Sequence, residues 1–132
     1  MVCGICERES SWNNYAIRYE PGFFSHYIAP LYTANKVGVT EAYARSFSWG
    51  LMQVMGQTAR EMGYDGDLPG LCHPETGIEV GCRVLAHKLA VNEGNLQAAL
   101  QAYNGGGNPD YAAEVMALAE KYRLPGDANA AT

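Results

Sequence analysis

No run of apolar residues approaches the ~20 that a membrane-crossing helix requires, so the chain is not expected to span a bilayer. Basic residues are few. Nine Lys or Arg stand against fourteen Asp or Glu, the formal net charge is −5, and the nine form no block. A field of that sign disfavours nucleic acid and anionic membrane surfaces as partners, and no nucleic-acid partner is expected. It also counts against recruitment to an anionic wall by charge alone. Low-complexity tracts, internal repeats and linkers are absent. The opening residues MVCGICERES carry two acids, one base and no long apolar stretch, so they do not read as a secretory signal. With 17% charged and 48% hydrophobic residues the chain is not a disordered one. Its 132 residues suit one self-sufficient domain, expected to be a monomer.

Cysteine is sparse. Cys3-x-x-Cys6 invites a zinc reading completed by Cys72, His73, Cys82 or His87. A second close Cys or His pair is missing, so the match is poor. Cys3 and Cys6 otherwise read as small apolar residues on a helix. Cys72 and Cys82 are a candidate disulfide closing a short loop, with free thiols as the alternative.

What is present is helical, and β signals are weak. Residues 2–10 read as a helix. Residues 12–38, rich in Tyr, Asn, Pro and Gly, read as a long aromatic insertion with one short helix near Phe23–Tyr32. Thr40 is the expected N-cap of the helix TEAYARSF. In SWGLMQVMGQTAREMG, residues Leu51, Val54, Met55, Thr58 and Met62 fall at helical spacing, with Gly63 as the stop. DGDLPG is a loop. Pro74 suits a helix start, and Ile78, Cys82, Leu85 and Leu89 form the expected buried stripe. Gly94 ends that helix and Asn95 caps the next, which presents Leu96, Ala99, Leu100 and Tyr103 on one face. After NGGGNPD, Pro109 or Asp110 opens a last helix with Tyr111, Val115, Leu118 and Tyr122 on one face. The expectation is a mainly α domain over residues 1–123, with a frayed tail over 124–132.

Glu9 is the first residue with chemical promise. A carboxylate beside aromatic and apolar groups loses hydration, its pKa rises, and it can serve as a general acid. Glu7, two residues earlier, should point elsewhere on a helix. The plain alternative is an ordinary surface charge. Gly50 permits close approach to its backbone. Gln53 can donate and accept hydrogen bonds toward a sugar. Tyr103 and Asn104 end a helix before three glycines and can face a cleft. The aromatic insertion is suited to a wall for sugar rings. Against these stand core packing for Met52 and Tyr103 and a C-cap role for Asn104.

Taken together and in order, these segments resemble the soluble lytic transglycosylase and goose-type lysozyme superfamily, from about Ile5 to about Val115. The family pattern is Ile-x-x-x-Glu-Ser, then Gly-Leu-Met-Gln-x-Met followed by Thr-Ala, then Ala-Tyr-Asn-x-Gly, then a further Tyr. Here these are Ile5 to Glu9-Ser10, Gly50 to Met55 with Thr58-Ala59, Ala102-Tyr103-Asn104-Gly105-Gly106, and Tyr111. The resemblance implies a lysozyme-like helical fold with the aromatic-rich insertion after the catalytic helix. It implies that Glu9 is the catalytic acid at the bond between N-acetylmuramic acid and N-acetylglucosamine. It further implies that Ser10 orients the sugar, that Met52 and Gln53 contact it, and that Tyr103 hydrogen-bonds the acid. Asn104 would face the N-acetyl group, and Tyr111 would be a further cleft tyrosine. No cofactor or metal is implied. The partner would be peptidoglycan glycan strands in the bacterial cell wall, periplasmic or extracellular.

Most glycosidases use two carboxylates. A lytic transglycosylase manages with one, because the substrate's own N-acetyl oxygen stabilises the developing charge. The acid then turns base, and the sugar's 6-hydroxyl closes a 1,6-anhydro ring without water. A hydrolytic muramidase would need a second acid. Glu20 in RYEPGF is the better candidate and Glu41 the other, with an ion pair to Arg18 as the plain reading of Glu20. A catalytically silent peptidoglycan-binding module is the non-enzymatic alternative.

Overall fold

The computed structural model describes residues 1–126; residues 127–132 of the expected tail lie outside the described residues. The chain opens with α1 (Val2–Ser10), which ends where Ser11 and Trp12 both turn left-handed, at φ 48° and 64°. Strand β1 (Ile17–Tyr19) follows, inside the segment expected to be an insertion without β structure.

The rest of that segment is more helical than its composition suggests. Helix α2 (Pro21–Phe23), a π turn (Phe24–Ile28) and α3 (Ala29–Thr33) run on without a break. The Ala29 N–H bonds to the carbonyl of Phe24, five residues back. The wide turn immediately precedes Pro30, which has no N–H to give and whose ring crowds the carbonyl one α turn earlier. Ile28 is fully buried and seats the segment on the domain. Its rings pack on one another and on the elements that follow. Phe24 stacks on Tyr43 at 4.7 Å, and Tyr19 lies 5.3 Å from Phe47.

Helix α4 (Val39–Arg45) starts one residue before Thr40, so the expected cap is wrong; Gly38 occupies that position. The larger correction follows. SWGLMQVMG is a β-hairpin, with β2 (Phe47–Trp49) and β3 (Val54–Met55) joined by residues 50–53. Only the last part of the expected helix forms, as α5 (Gly56–Glu61). Gly50 and Gln53 take φ of 72° and 49°, which no helix accommodates. The loop folds inward, so Leu51 and Met52 are as buried as the strands, and the helical spacing of apolar residues is a coincidence of a doubly buried turn. The sheet is antiparallel in the order β1-β2-β3, pairing Arg18 with Ser48 and Trp49 with Val54.

A short 3-10 turn (Leu68–Cys72) leads through His73 into α6 (Pro74–Val91), with Pro74 in its first turn as expected. The buried face of α6 is rotated from the expected stripe. Gly77, Val80, Gly81, Val84 and Leu85 are buried, while Ile78, Cys82 and Leu89 are only partly covered. The two glycines decide this, because a Cβ on Gly77 would run into the Leu71 carbonyl and one on Gly81 would meet Met52. Asn95 caps α7 (Leu96–Tyr103) by accepting from the Ala98 N–H, as expected. Helix α8 (Tyr111–Ala119) returns against α1, and a 3-10 turn (Glu120–Tyr122) ends beside Trp12. The α1–α8 crossing is close at Gly4, where a Cβ would stand 2.6 Å from the Val115 carbonyl oxygen. No helix among the described residues is long and apolar enough to cross a membrane.

Candidate active site

Helix α1 ends with Glu9 in its last turn, beside the buried pair Ile5 and Cys6. Burial pushes the Glu9 carboxyl above the usual carboxylate range. A hydrogen bond from Tyr111 and the charges of Arg8 and Arg18 oppose that rise without cancelling it. The Tyr111 hydroxyl donates to Glu9 Oε1 at 2.6 Å. Tyr111 is itself only 1% exposed, and burial beside Glu9 raises its own pKa, so it stays a donor.

The expected tyrosine is a different one. Tyr103 donates its hydroxyl to the Met52 carbonyl at 2.7 Å, and burial raises its pKa far above the usual phenol value. It ties the hairpin loop to the end of α7. Both tyrosines close helix–helix or helix–loop gaps near Glu9, and the packing of α8 on α1 decides which one reaches the carboxyl.

A cleft of about 430 Å³ opens beside Glu9. The sheet and the aromatic segment supply Arg18, Glu20, Phe23, Ser48, Gln53, Val54 and Met55, and α5 supplies Thr58. Val84 and Lys88 of α6 and Ala102 to Gly105 at the end of α7 complete it. Of the residues singled out in the sequence, Glu9, Glu20, Gln53, Tyr103 and Asn104 line this space. Asn104 is also the C-cap of α7, and its side chain makes no hydrogen bond among the described residues. A hollow beside α5 is lined by Glu61 and Asp65, both of them exposed.

Ser10, Met52 and Tyr111 do not line the cleft. Ser10 Oγ lies 2.9 Å from both the Cys6 and Leu51 carbonyls, and its single hydrogen serves them in turn. It pins the hairpin loop to the end of α1. The Met52 side chain is fully buried against Gly81, which matches the core-packing alternative. Gln53 lines the cleft with its amide already engaged. Its Nε2 donates to the Ala16 and Gly50 carbonyls, both at 2.9 Å, and its Oε1 accepts from Ser48. Those bonds hold its left-handed backbone in place.

Glu20 shares the cleft with Glu9 and is paired to Arg18. Glu41 does not share it. Arg60 and Arg45 clamp Glu41 on the far side of α4 and α5 and hold its carboxyl at about 2. In the sequence Arg18 is marked only as a partner for Glu20, Phe23 as part of the aromatic segment and Thr58 as part of the family pattern, while nothing marks Ser48, Val84 or Lys88. Lys88 follows Val84 by one helical turn, a signal that the misplaced stripe on α6 hid.

Cys72 and Cys82 form no disulfide; all four cysteines are free. Cys82 instead lies close enough to Cys6 to act on it electrostatically, and burial pushes the Cys6 thiol up to about 11. The zinc reading fails, since no group of three or more His, Cys, Asp or Glu among the described residues could hold a metal ion.

Comparison with curated proteins returned no match, and neither did comparison with solved structures. Comparison with protein families did. The chain matches the transglycosylase SLT domain over residues 1–122, from α1 to the end of the last 3-10 turn. The mainly helical fold agrees with a lysozyme-like domain of this kind. The chain belongs to the transglycosylase SLT domain family, whose members are peptidoglycan lytic transglycosylases.

Proposed function

We propose that this chain cleaves the β-1,4 bond between N-acetylmuramic acid and N-acetylglucosamine as a lytic transglycosylase, with Glu9 as its general acid and base. The observation that carries the reading is Glu9 at the edge of an open cleft, desolvated and hydrogen-bonded from the protein side by Tyr111. Desolvation favours the protonated form. Because Tyr111 donates to Oε1, the acid's own proton belongs on Oε2. Oε2 accepts no hydrogen bond among the described residues and so remains available to the glycosidic oxygen. As the bond breaks, the proton passes from Oε2 to the leaving sugar's oxygen. The carboxylate so formed is stabilised by the Tyr111 donor and can take the proton of the 6-hydroxyl, whose oxygen attacks the anomeric carbon. Atoms balance without water, and the acid returns to its starting state. Asn104 and Tyr103 border the same space and are suited to contact the N-acetyl group, while Ser10, Met52 and Gln53 hold the loop that shapes it. The site of action would be the bacterial wall, in the periplasm or outside the cell.

Glu20 in the same cleft keeps a second reading, hydrolysis, in play. Its carboxylate is already engaged by Arg18. Digestion of purified peptidoglycan separates the two. Products lighter by one water than the hydrolytic ones carry anhydro ends and support transglycosylation. Reducing ends transfer the chemistry to hydrolysis. Glu9→Gln keeps the shape and removes the proton, and activity should fall ~100-fold or more. Retention of a tenth of the wild-type rate by a folded variant would remove Glu9 from its role.

A further inference from the structure

Seven of the nine basic residues form ion pairs: Arg8, Arg18, Arg45, Arg60, Arg83, Lys121 and Arg123. The other two are Lys36, which is exposed, and Lys88, which is half-buried. Lys88 has no ion-pair partner among the described residues, and it lines the cleft that holds Glu9. Its place in the last turn of α6 suits the helix dipole, which accounts for a cation there but not for one turned into a cleft. An ammonium that lines a cleft and has no ion pair there is placed to pair with an anion that a ligand brings.

The charge within the cleft sharpens the point. Arg18 and Glu20 neutralise each other. Glu9 must be protonated to act as an acid. The cleft primed for cleavage is then left with the single positive charge of Lys88, in a chain of net charge −5.

We infer that Lys88 is a specificity-determining residue that binds a carboxylate carried on the lactyl side of a muramic acid. The inference rests on the proposed glycan substrate. Two sources share that chemistry. In peptide-bearing strands the carboxylates belong to the stem peptide, and in stripped strands the lactyl group ends in a carboxylate of its own. An N-acetylglucosamine oligomer has neither.

The test is calorimetric binding to the Glu9→Gln protein, alone and with Lys88→Gln or Lys88→Arg added. The ligands are a peptide-bearing tetrasaccharide of the wall glycan, the same glycan stripped of peptide, and an N-acetylglucosamine tetramer. Lys88→Gln is expected to weaken binding of a carboxylate-bearing ligand about tenfold, as for a charged hydrogen bond. Lys88→Arg should recover most of that loss, and the neutral tetramer should lose much less. A loss confined to the peptide-bearing ligand supports the inference with the stem as source. A loss confined to the stripped glycan supports it with the lactyl carboxylate as source. Equal losses on all three ligands, or none on any, overturn it. If the wild-type chain also fails to release fragments from peptidoglycan, the glycan reading itself falls. Cleavage that persists while Lys88→Gln discriminates nothing defeats the Lys88 inference alone.

Discussion

The hydrogen bond between Tyr111 and Glu9 sets two opposing influences on one carboxyl. Burial favours the acid, and the Tyr111 donor favours the carboxylate. A general acid loses activity as pH rises through its own pKa. Removing the donor with Tyr111→Phe takes away an influence that lowers the Glu9 pKa, so that pKa should climb further. The alkaline limb of kcat/KM against pH is therefore expected to move to higher pH, and the maximal rate to fall because the carboxyl is less well oriented. A limb that stays in place, measured on a variant with wild-type melting, would mean that the hydrogen bond does not act on the reacting proton. At this scale the sequence was informative about chemistry and uninformative about reach. Glu9 was legible as an acid from its neighbours and its motif. Which tyrosine bonds to it was not, because Tyr103 and Tyr111 stand at two helix ends whose relative placement no local pattern encodes.

Elements place these residues through backbone approaches that only glycine permits. Gly4 brings α1 against the α8 backbone, and that crossing is what carries Tyr111 to Glu9. A Cβ at Gly4 meets the Val115 carbonyl oxygen and the Ala119 nitrogen, both backbone atoms that cannot swing aside. Gly4→Ala is expected to cost about 1–3 kcal/mol, the usual range for overpacking a close contact. Thermal melting followed by circular dichroism checks this, and an unchanged midpoint would show that the crossing relaxes freely. The same logic explains two misjudged elements. The hairpin around Gly50 mimics helical spacing because its loop is buried on every side, so its apolar residues do not alternate. The face of α6 was misjudged because Gly77 and Gly81 carry no hydrophobic side chain, yet they mark where Leu71 and Met52 press in.

For the molecule as a whole, charge governs how stability responds to acid. Arg60 and Arg45 hold Glu41 at about 2, well below its ordinary 4.5, and so link α4 to α5. A carboxyl depressed by folding stabilises the fold above its ordinary value and loses that contribution as pH falls toward the depressed one. Glu9 has the opposite sign, because its raised pKa makes the ionised form a cost that grows as pH rises. Glu41→Gln should therefore lower unfolding stability by ~1–2 kcal/mol at neutral pH, a figure reduced for a side chain about one-third exposed. The difference from wild type should shrink between pH 4.5 and about 2, as urea melts at several pH values would reveal. A difference independent of pH across that window would place the effect in packing.

The sequence by itself determined a mainly helical fold, most helix boundaries from Pro74 onward, and a set of residues in family order from Ile5 to Tyr111. Those are matters of caps, stops and short motifs, which act over a few residues. Only the tertiary structure decided that Tyr111 bonds to Glu9, that Ser10, Met52 and Gln53 support a loop, and that Lys88 lines the cleft with no ion-pair partner among the described residues. Each of these depends on groups far apart in the sequence, up to the 102 positions between Glu9 and Tyr111, meeting across packed elements. The angle of a crossing follows from volumes and backbone clearances summed over whole elements, and no short stretch of chain contains that sum.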